Sequence, residues 1–138
     1  MDARVATNRI AEAFADAAPP ASLVSHECPE CERVQTALGG LTWSKVSSEA
    51  VKEHRDSLPL LTPEAYVSLI PAYLTVAVSE PLGEVARAVL HSLQPSGNRG
   101  GCPFHEEQRR VLLDVAEWLA EQESWGINLS RMRRYWSW

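Results

Sequence analysis

The chain has 138 residues, the size of one ordinary domain, and enough to bury about two-thirds of its unfolded surface without disulfides. A content of 45% hydrophobic and 22% charged residues is the balance of a folded protein and excludes a disordered one. The formal net charge of -5 excludes a global basic field, so binding of nucleic acid mainly through phosphate neutralisation is not expected.

The opening residues, MDARVATNRI, hold no basic stretch followed by an apolar one, so no leader peptide is expected. In RVATNRIAEAFADAA, the residues Ala6, Ile10, Ala13, Phe14 and Ala17 recur at helical spacing until Pro19-Pro20 stops them, which predicts one amphipathic helix. A second helix is predicted from Cys28, with Cys31, Val34 and Leu38 on one stripe and Gly39-Gly40 as its C-terminal stop. Residues 47–58, SSEAVKEHRDSL, read as a polar helix capped by serine, with Val51 and Leu58 as its apolar side.

The best-patterned region follows. Tyr66, Leu69, Ile70, Tyr73, Leu74 and Ala77 keep the i, i+3, i+4, i+7 rule, and Thr62-Pro63-Glu64 starts the helix with a hydroxyl cap, a proline and an acid. Pro71 lies inside it and predicts a kinked helix over two short ones. This run, YVSLIPAYLTVAV, is too short to span a bilayer, so no membrane association is expected. PLGEVARAVLHSL supplies another helix through Val85, Val89 and Leu93, and QPSGNRGG is a connection. A last long helix is predicted from about Pro103 to Ser124, with Val111, Leu112, Val115, Trp118, Leu119 and Gln122 on one face. LSRMRRYWSW closes the chain with Leu129, Met132 and Trp136 at compatible spacing. The expected fold is a single all-α domain over 1–138, a bundle of five to seven helices with its central helix kinked at Pro71.

Chemistry-bearing residues are few. Cys28-x-x-Cys31 and Cys102-x-x-His105 together have the ligand types and local spacing of a structural Cys3His zinc site. The long intervening chain is no obstacle, because lengthening a closed loop from about 15 to about 70 residues costs only about 1.4 kcal/mol more. Structural zinc contributes about 10 to 16 kcal/mol. Both half-motifs also read as helix starts, with cysteine at the cap and proline at the first helical position, where the helix dipole favours a thiolate. Two readings stand beside zinc. Cys31 shares a stripe with Val34 and Leu38, so plain core packing explains it. Cys-Pro-x-Cys is also the dithiol form of glutaredoxin-like proteins, although their parallel sheet is missing here and only SLVS could precede the motif as a strand. His26 is a further candidate ligand.

His54 and His91 read as surface or capping histidines. No G-x-S-x-G, P-loop or G-x-G-x-x-G occurs, and the zinc-deaminase order of motifs fails. The tail RMRRYWSW offers Arg131, Arg134, Tyr135, Trp136 and Trp138 as candidate interaction residues, with docking on the domain's own core as the competing use of its apolar side.

With HECPEC upstream, LLTPEAYVSLIPAYL in the centre and RRYW at the end, the chain resembles a family of short standalone bacterial proteins of unknown function. The residues that carry the resemblance are Cys28 to Cys31, Leu61 to Leu74, Gln108 and Tyr135-Trp136, whereas Cys102 and His105 depart from that pattern. The resemblance implies a bacterial cytosolic protein and supplies no activity. With three cysteines, an odd count for a disulfide scaffold, a reducing cytoplasm is expected. The leading expectation is a non-enzymatic protein-interaction module with a protein partner and a candidate structural zinc at Cys28, Cys31, Cys102 and His105. The alternatives are a thiol-dependent redox enzyme using Cys28 and Cys31, or nucleic-acid binding through the arginine and tryptophan tail.

Overall fold

Helices form where the apolar periodicity places them. The computed structural model describes residues 1–24, 27–94, 103–122 and 128–136. Its α-helices are α1 (Ala3–Ala13), α2 (Pro29–Leu38), α3 (Ser48–Glu53), α4 (Pro63–Ser79), α5 (Glu84–Ser92), α6 (Glu106–Gln122) and α7 (Leu129–Tyr135). Two 3-10 segments, Trp43–Lys45 and Arg55–Leu60, join them. The fold is all-α, as expected, and the described residues contain no named strand. Within SLVS, Val24 makes an isolated antiparallel bridge to Leu61, and Ser25 lies outside the described residues.

The bundle is organised around α4, which packs against α1, α3, α5, α6 and the first 3-10 segment. Of its 17 residues only Pro63, Glu64, Val67, Thr75 and Ser79 escape burial, so it is a core helix apolar nearly all round. Each fully buried Leu, Ile or Val contributes about 1.5–3 kcal/mol, which is where most of the stability resides. The helix passes through Pro71 without a break. Pro71 has no N–H for the Val67 carbonyl, and Val67 is one of the few positions on α4 that solvent still reaches.

The start of α4 is fixed by Thr62. Its hydroxyl oxygen accepts from the Ala65 N–H at 3.1 Å and donates to the Ser22 carbonyl at 3.0 Å, while its own N–H donates to Leu23 at 2.9 Å. A single cap residue therefore both ends the orphan-donor problem of α4 and ties segment 22–24 to it. Leu23 joins Val34, Leu38, Ala65 and Leu69 in a small satellite cluster, which is how α2 is held.

The main core gathers α1, α4, α5, α6 and α7. At one end, four rings meet. Phe104 lies edge-on to Phe14, Tyr66 and Trp136, with centroids 6.3, 6.0 and 5.6 Å away. Aromatic pairs at such separations add about 0.5–1.5 kcal/mol each beyond their buried area.

Two helices and three side-chain placements illustrate where structure and sequence expectation part. The polar helix over 47–58 does not continue, because α3 stops at His54 and a 3-10 segment takes over. Pro59 disfavours helical backbone at Leu58, and the Tyr73 hydroxyl donates to the His54 carbonyl at 2.9 Å, fixing the break from across the core. His54 itself is buried, not a surface histidine. His91 is exposed in the last turn of α5, as expected.

The second helix corrected is α6, which begins at Glu106 and not near Pro103, so the parallel between the two cysteine-proline helix starts fails for the second. His105 is the capping residue instead. Its N–H donates to Gln108 Oε1 at 3.2 Å, and its Nδ1 accepts from the Gln108 N–H at 3.4 Å, a reciprocal box that satisfies two donors. Gln122, placed on the apolar face by its spacing, is exposed, with its amide donating to the Trp118 carbonyl at 3.1 Å. Ser124, the expected end of that helix, lies outside the described residues.

Candidate functional site at the start of α2

The local sequence Glu27-Cys28-Pro29-Glu30-Cys31 builds a helix N-terminus in which every residue type has a task. Cys28 is the N-cap, with extended backbone (φ -161°, ψ 160°), and its Sγ accepts from the Cys31 N–H at 3.0 Å. Pro29 takes the first helical position, where no N–H is needed. Glu30 and Glu32 place carboxylates in the first turn, at the positive end of the helix.

The helix geometry brings Cys28 and Cys31 together as a disulfide, with Cα atoms 5.0 Å apart. The two sulfurs are not equivalent. Cys31 is 1% exposed, on the stripe with Val34 and Leu38. Cys28 is only half-buried, at the open end of the helix. Glu30 also reaches the 3-10 segment, where its Oε1 accepts from the Ser57 hydroxyl at 3.4 Å, so the site rests on a second element.

The remaining candidate ligands are placed unevenly. Cys102 and His26 lie outside the described residues. His105 is exposed, and its Nδ1 already serves the cap of α6. Among the described residues no group of three or more His, Cys, Asp or Glu side chains is arranged to hold a metal ion.

The tail is a strut more than a free patch. Trp136 is 6% exposed, stacks on Tyr66 and donates its Nε1–H to the Leu93 carbonyl at 2.9 Å. Tyr135 is half-buried and lies edge-on to Trp136. Arg131 and Arg134 are exposed, and Trp138 lies outside the described residues. Arg133, which the sequence did not single out, pairs with both Glu117 and Asp114 of α6. The hydrogen bond to Glu117, more than any other influence, raises its pKa. Asp114 also receives Arg9 of α1 at 2.8 Å. One carboxylate thus ties both α1 and α7 to α6.

No described helix is long and apolar enough to cross a membrane. Compared with family models, with curated proteins and with solved structures, the chain gives no match.

Proposed function

We propose that the chain is a thiol–disulfide protein whose working unit is the Cys28–Cys31 couple. The observation that supports this best is the asymmetry of the pair: one sulfur reachable at a helix cap, its partner buried one turn on. That arrangement offers an outside thiol a single point of attack.

In the oxidised form, an incoming thiolate attacks Cys28 Sγ. The Cys28–Cys31 bond breaks, its electron pair leaves on Cys31 Sγ, and a mixed disulfide forms at Cys28. A second thiolate then attacks the incoming partner's sulfur, and Cys28 departs as a thiolate. The balance is two external thiols oxidised to a disulfide and one protein disulfide reduced to a dithiol, with the two external protons passing to the cysteines. The Cys31 N–H and the positive end of α2 are placed to stabilise negative charge on Cys28 Sγ. Glu27, Glu30 and Glu32 surround the pair with carboxylates, which favours cationic or neutral thiols over anionic ones. In a reducing cytoplasm, the compartment expected from the sequence, such bonds are transient and catalytic or sensing.

The test is reduction of the native protein with cysteamine, followed by timed alkylation and mass mapping. Cys28 is expected to alkylate well before Cys31 and to form a trappable mixed disulfide when Cys31 is replaced by serine. Thiols that react no faster than those of free cysteine would remove the redox role and leave a protein-interaction module as the better reading. The same reduced sample, titrated with zinc, tests the Cys28, Cys31, Cys102 and His105 set, because metal binding needs both thiolates released from the disulfide.

A further inference from the structure

An open cavity of about 490 Å³ lies where the first turns of α4 and α6 face the end of α1. Its walls are apolar at Ala17, Pro19, Val67 and Pro103, and its polar lining is Glu64, Ser68 and Gln108. That volume is within the range of small-molecule sites.

Gln108 carries the argument. It is 8% exposed, and its Oε1 is committed to the His105 N–H. A backbone N–H is a donor only, so the amide must present its oxygen there, and the orientation of the side chain is fixed. Its Nε2 is left with no hydrogen-bond partner among the described residues. A buried donor without a protein partner calls for an explanation, and here it lines the cavity. Ser68, also buried, donates its hydroxyl to the Ala18 carbonyl at 2.7 Å and so has only acceptor capacity to offer the cavity. Glu64 is the one charged side chain lining the cavity among the described residues, and it is exposed at the rim.

We infer that this cavity binds a small apolar molecule carrying an ammonium group and a carbonyl oxygen, the chemistry of an α-amino-acid amide. The carbonyl accepts from Gln108 Nε2, the ammonium lies against the Glu64 carboxylate and the Ser68 oxygen, and the apolar body covers Ala17 and Val67. An anionic ligand is disfavoured by Glu64, and a purely apolar one would leave the Gln108 donor unpaired.

The test uses the full chain, with L-leucinamide as probe and two truncated analogues, 3-methylbutylamine lacking the carbonyl and 4-methylpentanamide lacking the ammonium. Binding is read from backbone amide shifts of Ala17, Val67 and Ser68 in a titration to millimolar concentration. Leucinamide is expected to bind about fivefold more tightly than either analogue, the gain of one net hydrogen bond or one exposed ion pair. Glu64→Gln is expected to bring leucinamide down to the affinity of 4-methylpentanamide. Gln108→Glu keeps the oxygen that caps His105, so α6 is preserved, yet it removes the donor and with it the preference for leucinamide over 3-methylbutylamine. No shift at these amides, equal binding of all three probes, or selectivity unchanged in both variants would overturn the proposal and leave a cavity that holds only water.

Discussion

Trp136 lies flat on Tyr66, with ring planes 5° apart and centroids 6.2 Å apart, and at the same time the Trp136 indole donates to the Leu93 carbonyl at the end of α5. Tyr66 in turn shares a 2.8 Å hydrogen bond with Ser92. The ring stacking and the indole hydrogen bond thereby clamp the end of α7 onto α4 and α5, while the Tyr66–Ser92 bond ties those two helices to each other.

Trp136→Ala is accordingly expected to destabilise the protein by about 3–5 kcal/mol, a loss of buried aromatic volume and one buried hydrogen bond. Arg131→Ala, at an exposed position on the same helix, is expected to stay within about 0.5 kcal/mol of the parent. Urea denaturation of the two variants measures the contrast. Equal stabilities would mean that α7 is not docked as described.

Burial pushes the phenols of Tyr66 and Tyr73 well above the ordinary tyrosine range, with the Ser92 contact opposing the shift at Tyr66. Because the folded state holds each phenol proton more tightly than the unfolded chain does, the stability this represents is complete below the unfolded value of about 10. It falls as pH rises above that value. Alkaline titration is therefore expected to show tyrosinate absorbance rising together with loss of far-ultraviolet dichroism above about pH 10. Tyr66→Phe or Tyr73→Phe should flatten the alkaline loss of stability. A smooth tyrosinate titration in protein that keeps its helix content would contradict the buried placement.

The two cysteines should respond differently to the same substitution. Cys28→Ser removes the disulfide but keeps an N-cap oxygen for the Cys31 N–H, serine being among the best cap residues. Cys31→Ser removes the same disulfide and puts a hydroxyl into a site that is 1% exposed, at an added cost of about 1–3 kcal/mol if it finds no partner. Thermal melts of the two variants, both without the disulfide, isolate that difference. Equal midpoints would mean that Cys31 is not in the core.

Gly39 and Gly40 end α2 for separate reasons. Gly40 has φ +77°, in the left-handed region, so Gly40→Ala is expected to cost about 1–2 kcal/mol through backbone strain alone. A Cβ on Gly39 would overlap the Gln35 carbonyl oxygen, so Gly39→Ala must move backbone and is expected to cost at least as much. Chemical denaturation of both variants checks the pair, and a neutral Gly39→Ala would show that the end of α2 is looser than described.

What the sequence disclosed was local. Thr62-Pro63-Glu64 and the stripe from Tyr66 to Ala77 announced α4 because cap, proline, acid and periodicity all agree within a few residues. Cys28 and Pro29 announced α2 in the same way. What it hid was set from a distance. The break after α3 depends on the Tyr73 hydroxyl, and Trp43 is pinned by its indole to the Phe14 carbonyl, at sequence separations of 19 and 29. The true start of α6 did have a local sign, a residue with a side-chain acceptor three places before Gln108, but histidine is not the usual cap and the Cys-Pro pair upstream is the stronger helix-start pattern. Gln108 entered the sequence reading only through a resemblance. That its Nε2 would be buried without a partner among the described residues follows from packing that no single segment encodes.

The shared grip of Arg9 and Arg133 on Asp114 also bears on how the chain is made. Arg9 and Asp114 are 105 positions apart, so α1 emerges from the ribosome long before its ionic partner exists. Its apolar stripe of Ala6, Ile10 and Ala13 can meet α4 early, but the α6 side of that stripe stays uncovered until most of the chain has been synthesised. Vectorial synthesis thus leaves α1 waiting for α6, and the ionic seal between them closes only after more than a hundred further residues have been added.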